Sequence, residues 1–252
     1  MDVSTGSLIA LLLASVRAAA WLVVCPPFNS RIVPAPVKAL LALAISLPLV
    51  PRLDDQVPAL EVGSLLVAAV EQVVVGVALG FITAVFFAAI QAAGDLIDTF
   101  GGFSMSFALD PMSTSQSSVF GRFYNLIAVT LLFATDGHQM VLRGFLESYR
   151  TLPLDGALSL SRLGTVLSHG LPEMFVAALQ IAGPLIAVLF LTDVAFGLLN
   201  RVAPALNAFA LGFPAKILIT LLLGGSAIAV LPDALEGLME RAVRAVLSVA
   251  GG

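Results

Sequence analysis

Few residues in this chain carry the chemistry of catalysis, and the charged ones that stand out are set in apolar runs. Arg17, Glu71 and Asp193 each lie inside a stretch of aliphatic residues, and Asp95 and Asp98 follow the one that holds Glu71. A charge at the centre of a lipid-facing helix costs about 2.5–3.5 kcal/mol on insertion scales. These groups must therefore face protein or water. Two uses remain open: a proton or ion relay through acids such as Glu71, Asp95 and Asp193, or buried pairing and hydrogen bonding between helices. The histidines, His138 after Asp136-Gly137 and His169 before Gly170, stand in turn contexts. The run Gly102-Phe103-Ser104-Met105-Ser106 falls one glycine short of a nucleophile elbow and lacks its strand–turn–helix setting. No phosphate loop, dinucleotide fingerprint or HExxH occurs. The single cysteine, Cys25, excludes an internal disulfide and has no metal-ligand spacing around it. Neither an enzyme nor a metal or cofactor site is expected.

The elements that position these residues are apolar. Hydrophobic residues make up 59% of the chain and charged ones 11%, against about 25% charged in soluble domains. Mean hydropathy is +1.05. A net charge of −4 without a basic block argues against a nucleic-acid partner. Asp2 is the only charge before Arg17, so the basic start of a signal peptide is missing and the first apolar stretch is expected to be retained. Six stretches approach spanning length: Ser7–Cys25, Val37–Val50, Leu65–Ile90, Val119–Ala134, Pro172–Leu199 and Ile217–Leu231. About 20 residues cross a bilayer, so the second and sixth are short and the third and fifth long. The expected fold is all-α: one polytopic, membrane-associated helical bundle over residues 1–252, with about six long apolar helices.

Connections add detail. The proline-rich link from Cys25 to Lys38 should end one helix and start the next. Pro51–Pro58 is acidic, Thr135–Leu171 is long and mixed, and Asn200–Lys216 is basic. Placing the loops with Arg31/Lys38 and Arg201/Lys216 on the cytoplasmic side leaves both termini outside. Pro36-Val37-Lys38 and Pro214-Ala215-Lys216 are each expected to launch an apolar helix, a faint internal echo. From Asp233 onward an amphipathic closing helix is expected. Gly76 and Gly80 form a GxxxG pair that permits close helix packing.

The segment from Gly94 to Ser118 interrupts this pattern. Gly101-Gly102 and Asp110-Pro111 disfavour a continuous helix, yet Phe103, Met105, Phe107, Leu109 and Met112 are large and apolar. Irregular backbone beside apolar helices is tolerated where protein or a water-lined cavity surrounds it. The segment reads either as a plug or gate or as a re-entrant connector without a gating role.

From Arg201 the chain reads RVAPALNAFALGFPAKI. With this run it resembles the flagellar biosynthetic protein FliR family, a component of the type III export gate related to the injectisome SctT family. The resemblance covers nearly the whole chain: Arg17, Pro27-Phe28 and Val33-Pro34 through Lys38, then Glu71, Gly76 and Gly80. It continues through Gly94, Gly102, Phe103, Ser104, Asp110 and Pro111, then Asn125, Gly137, His138 and Leu152-Pro153. Pro184, Gly197 and Leu198 lead into Arg201, Ala203, Pro204, Asn207, Phe209, Pro214 and Lys216. Ala205 departs from the pattern, standing where the family usually has Gln. The resemblance implies a non-enzymatic structural and gating subunit without cofactor, in the bacterial inner (cytoplasmic) membrane at the flagellar basal body. One copy would join several copies of FliP and FliQ, amid membrane lipid, in a channel for unfolded flagellar proteins. Residues 1–170 would be FliP-like and 171–252 a FliQ-like hairpin. The pore plug would comprise Gly101, Gly102, Phe103, Ser104, Met105, Ser106, Phe107, Asp110, Pro111 and Met112. The cytoplasmic-side loop holding Arg201, Pro204, Asn207, Phe213, Pro214 and Lys216 would meet FlhB. The same subunit of a virulence injectisome, or a stand-alone secondary transporter, are the alternatives.

Overall fold

Aliphatic side chains offer the backbone no hydrogen bonds, so in an apolar setting it must satisfy itself, and helix does this within one segment. The computed structural model describes residues 5–30, 32–58, 61–103, 118–156, 158–204 and 208–251, and these are helical without any strand. In chain order the helices are α1 (Thr5–Val24), α2 (Ala35–Ser46), the single turn α3 (Val50–Leu53), α4 (Val62–Gly101) and α5 (Val119–Ala134). Then come α6 (Gly137–Thr151), α7 (Leu160–Val202), α8 (Ala208–Ile228) and α9 (Leu231–Ala250). Among the described residues five helical stretches are long and apolar enough to cross a membrane. The α5–α6 pair makes a sixth if taken as one span.

Several boundaries differ from the sequence expectation. The third stretch does not stop near Gly94: α4 runs for 40 residues to Gly101. At about 1.5 Å per residue it is about 60 Å long, twice the roughly 30 Å of bilayer hydrocarbon. Gly94 is not a breaker here. A Cβ there would lie 2.5 Å from the Phe120 carbonyl oxygen, so the glycine serves a close approach of α5. The fifth stretch likewise starts earlier, because α7 extends for 43 residues from Leu160 and passes through Pro172 and Pro184. The mixed connection 135–171 is therefore mostly helix: α6, then the first turns of α7. The acidic Pro51–Pro58 link is partly helical too, as α3 and a following 3-10 turn. Within Asn200–Lys216, α7 continues to Val202 and α8 begins at Ala208, so Phe213, Pro214 and Lys216 are helical. Pro214 is thus interior to α8, whereas Pro36 sits in the first turn of α2 after Pro34 at the N-cap. The amphipathic closing helix is α9.

Contacts divide the chain into two compact units. One comprises Met1–Phe86, Asp136–Leu171 and Leu238–Gly252. At its centre α1 buries Leu13, Ala14, Ala18, Trp21 and Leu22. Trp21 stacks on Phe145 of α6 with ring centroids 4.4 Å apart. Gly76 and Gly80 bring α4 onto the α1 backbone. A Cβ at Gly80 would lie 3.0 Å from the Trp21 carbonyl oxygen, and one at Gly76 would strike that of Arg17. Cys25, just past α1, is fully buried, and burial pushes its thiol well above the ordinary range. The second unit comprises Phe87–Thr135 and Pro172–Gly237. Its core joins Ile90, Ala93 and Ile97 of α4 with Phe120, Tyr124 and Leu132 of α5. Ala178, Ala182, Leu185 and Leu189 add the buried face of α7.

Both units leave aliphatic side chains uncovered, among them Leu40 (66%), Leu47 (61%), Val70 (64%), Leu191 (64%) and Leu222 (71%). A surface of this kind requires lipid or protein against it.

Gly76→Leu is expected to destabilise the protein by about 1–3 kcal/mol through overpacking at α1. Gly63→Ala, with nothing within 4 Å of its Cβ, should be neutral. Thermal unfolding in detergent measures both. Maleimide labelling gives a second reading: Cys25 should react only after denaturation in the parent protein and sooner in Gly76→Leu.

Candidate functional site

Arg17 is fully buried on α1 and makes no ion pair among the described residues. Oxygen atoms surround it instead. Its Nε donates to Gln72 Oε1 (2.6 Å), and Nη1 donates to the carbonyls of Leu152 (2.9 Å) and Ser148 (3.4 Å). Nη2 reaches Pro153 O at 3.3 Å, and the guanidinium lies 4.3 Å from the Tyr149 ring centroid. Tyr149 in turn donates to Ala14 O at 2.8 Å, and Gln72 Nε2 donates to Leu154 O at 2.9 Å. These carbonyls lie in the last turn of α6 and just past it, at the negative pole of its dipole, and those of Ser148 and Pro153 also accept from Leu152 N–H and Gly156 N–H. Arg17 is therefore a C-terminal cap delivered from another helix. Glu71 is half-buried beside this cluster. Gln72, which sequence reasoning passed over, is the residue that engages Arg17. Its signal was its spacing, since Gln72, Gly76 and Gly80 recur every four residues on one face of α4.

In the second unit the residues cluster where α4 ends. Gly102, with φ +87°, turns the chain out of the helix. Phe103 N–H then donates back to Asp98 O at 3.1 Å, closing a Schellman-type end. The Asp98 carboxylate, 5% exposed, accepts from Phe120 N–H with both oxygens at 3.2 Å. Phe120 lies in the first turn of α5, whose N-cap Ser118 Oγ accepts from Gly121 N–H at 2.7 Å. An anion suits that position because the first amides of a helix are unpaired and its dipole is positive there. The Phe103 and Phe120 rings meet edge to face at 5.3 Å. Asp98 thus ties together the residues on either side of segment 104–117. Asp95, one turn earlier, sets a carboxylate oxygen against Gly121, where no Cβ would fit.

Helix α8 supports this junction. A Cβ at Gly101 would lie 2.7 Å from Thr220 Oγ1, and one at Gly102 would lie 3.2 Å from the Phe213 ring. Phe213 also lines a cavity of about 350 Å³ with Phe196, Gly197, Asn200 and the pair Asp193–Lys216. Lys216 Nζ donates to Asp193 Oδ2 at 2.9 Å, with the lysine side chain 14% exposed and the carboxylate side chain 51%. Asp193 and Lys216, read separately as an intramembrane acid and a loop base, are one ion pair between α7 and α8. Arg201 is in the last turn of α7 and Pro204 in the turn after it. Ser104, Met105, Ser106, Phe107, Asp110, Pro111, Met112 and Asn207 lie outside the described residues. Among the described residues no group of His, Cys, Asp and Glu could hold a metal ion.

Residues 8–242 match the family described as bacterial export proteins, family 1. The chain is 34% identical over 216 residues to the flagellar biosynthetic protein FliR of Escherichia coli (strain K12), covering 85% of this chain and 81% of that protein. To the FliR of Bacillus subtilis (strain 168) it is 31% identical over 218 residues, 85% and 84% of the two chains. The surface presentation of antigens protein SpaR of Shigella flexneri is 29% identical over 151 residues, 60% and 58% of the two chains.

Asp98→Ala should cost about 1–2 kcal/mol by uncapping α5, and Asp98→Asn, which keeps one acceptor, less. Hydrogen exchange at 98–103 and 118–124 should accelerate in that order of severity. Arg17→Lys, which cannot reach all four oxygens, is expected to lose about 2–3 kcal/mol, read by thermal unfolding in detergent.

Proposed function

Because this chain belongs to family 1 of the bacterial export proteins, with the FliR proteins, and is a structural, non-enzymatic component of a multi-subunit type III export apparatus, we propose that it is the gating subunit of the flagellar export channel. The observation that carries this reading is the Asp98 junction. It holds the two ends of segment 104–117 at one point, which is what a plug needs if it is to stay in a pore without detaching. Residues 101–112 then form the plug. Phe103, Met105, Phe107 and Met112 supply a hydrophobic constriction that blocks ions by dewetting. Methionine adapts to irregular gaps, and Gly102 provides the left-handed turn at the near end.

A single copy assembles with FliP and FliQ in the bacterial inner membrane. Two helices longer than a bilayer is thick, with uncovered leucines and valines, are consistent with burial against such partners. Residues 1–170 act as the FliP-like part and 171–252 as the FliQ-like hairpin. The α7–α8 turn, with Arg201, Pro204 and Asn207, faces FlhB, and unfolded flagellar proteins pass through the opened channel. The flagellar reading is favoured over the injectisome one by 31–34% identity across 85% of the chain, against 29% across 60% for SpaR. A stand-alone transporter gains less support, since Asp193 is matched by Lys216 and Asp95 is packed against Gly121.

Deleting 101–112 in the assembled complex should raise resting ion conductance, and Gly102→Asp should do so in part. Conductance unchanged by the deletion would overturn the plug assignment. Native mass measurement after co-expression with FliP and FliQ should find one copy of this chain per complex; a homodimer that ignores them would overturn the assembly.

A further inference from the structure

Away from the Asp98 junction, the first unit holds a cavity of about 400 Å³ between the α3 region and α6. Three guanidinium groups line it: Arg52 from α3, and Arg143 and Arg150 from α6. Glu147 is the acid on its wall, and it pairs with Arg150 at 2.9 Å while both side chains remain largely open to solvent. Among the described residues, the Arg52 and Arg143 guanidinium groups have no acid partner. Nearby acids are engaged elsewhere. Asp54 accepts from the Ser7 hydroxyl at 3.1 Å, and Asp136, which lines a neighbouring cavity with Arg143, accepts from Gln139 at 2.9 Å. On the cavity wall itself three arginines face one acid, which leaves the lining with an excess of positive charge. Its floor is apolar, with Leu53 buried and Leu146 half-buried.

A second observation concerns Gln56, on the same wall. Its Oε1 is buried and accepts no hydrogen bond, while its Nε2 reaches only Arg52 O, at 3.5 Å. An orphan acceptor beside unpaired guanidinium groups calls for a ligand that is both anionic and a hydroxyl donor. Position narrows the choice further. Arg52 lies near the end of the candidate span Ala35–Gln56, and Leu40, Leu43 and Leu47 earlier in that span are exposed. Acyl chains would find an aliphatic surface there, and a headgroup would lie at the level of Arg52.

We propose that this cavity binds the headgroup of one anionic glycerophospholipid with free hydroxyls, phosphatidylglycerol. Its phosphodiester oxygens accept from Arg52 and Arg143, whose planar forks suit phosphate. With the Gln56 side chain turned toward the cavity, a glycerol hydroxyl donates to its Oε1, and the acyl chains follow the exposed leucines of α2. Basic pockets between helices at the membrane surface are suited to anionic headgroups. Glu147 opposes binding by holding Arg150.

The test is native mass spectrometry of the full chain in neutral detergent, titrated with phosphatidylglycerol or phosphatidylcholine. One phosphatidylglycerol should be retained in preference to phosphatidylcholine. Arg52→Gln with Arg143→Gln should weaken that retention about thirtyfold, about fivefold per guanidinium, and leave phosphatidylcholine unaffected. Glu147→Gln should strengthen it, an effect that a merely structural role for these residues does not produce. Gln56→Leu should weaken phosphatidylglycerol retention and leave phosphatidylcholine unaffected. Equal retention of the two titrated lipids, or full retention by the double variant, would overturn the site. So would displacement of the lipid by millimolar inorganic phosphate, which would make it a site for free phosphate. Protection of Cys25 from maleimide reports that each variant is folded.

Discussion

Carbonyl oxygens gathered in an apolar interior need donors for their lone pairs and negative pole, and the end of α6 turns several of them inward. Arg17 answers that need from α1 with a rigid fork of donors. The arrangement also resolves the cost of the charge itself, since the oxygens and the Tyr149 ring offset its lost hydration. Gln72 completes it by bonding Arg17 on one side and the Leu154 carbonyl on the other. One side chain thus sets α1, α4 and the 148–154 turn against each other. The glycines at 76 and 80 are its consequence as much as its neighbours, because the donors reach only if the helices touch backbone to backbone.

The second unit solves a similar problem with the opposite sign. There the open groups are amides at the start of α5, and the buried charge is the Asp98 carboxylate. Its main-chain oxygen also receives Phe103 N–H, so one residue terminates α4 and initiates α5. Isolated charges within apolar helices invite a reading as an ion pathway. In this protein Arg17 and Asp98 are instead spent on helix ends, and Asp193 is matched by Lys216. Such sites give an export component fixed helix ends.

The same economy explains the surface. Helices of 40 and 43 residues cannot lie wholly within one bilayer, and their exposed aliphatic side chains are not those of a protein meant to stand alone in water. A component of a multi-subunit apparatus has partners for such faces. Among the described residues Arg52 and Arg143 have no acid partner and Gln56 Oε1 no donor, a polar patch unlike the aliphatic faces.

Composition and hydropathy were enough to determine that the chain is all-helical, apolar and membrane-associated, because those follow from residue type summed over long windows. The order of motifs from Arg17 to Lys216 was enough to point to its family, and the Gly76–Gly80 pair to a close helix contact. Helix ends were less legible. On sequence the third stretch ends at Ile90 and the fifth begins at Pro172 because local composition is all a sequence displays, whereas tertiary contact decides whether a glycine such as Gly94 interrupts a helix or admits a neighbour. Polar partners were hidden for the same reason. Gln72 meets Arg17 across 55 residues, Asp98 meets Phe120 across 22, and Lys216 meets Asp193 across 23. No local periodicity encodes such separations. Only the folded packing, which places an unpaired amide or carbonyl beside a particular side chain, decided which charges became structural.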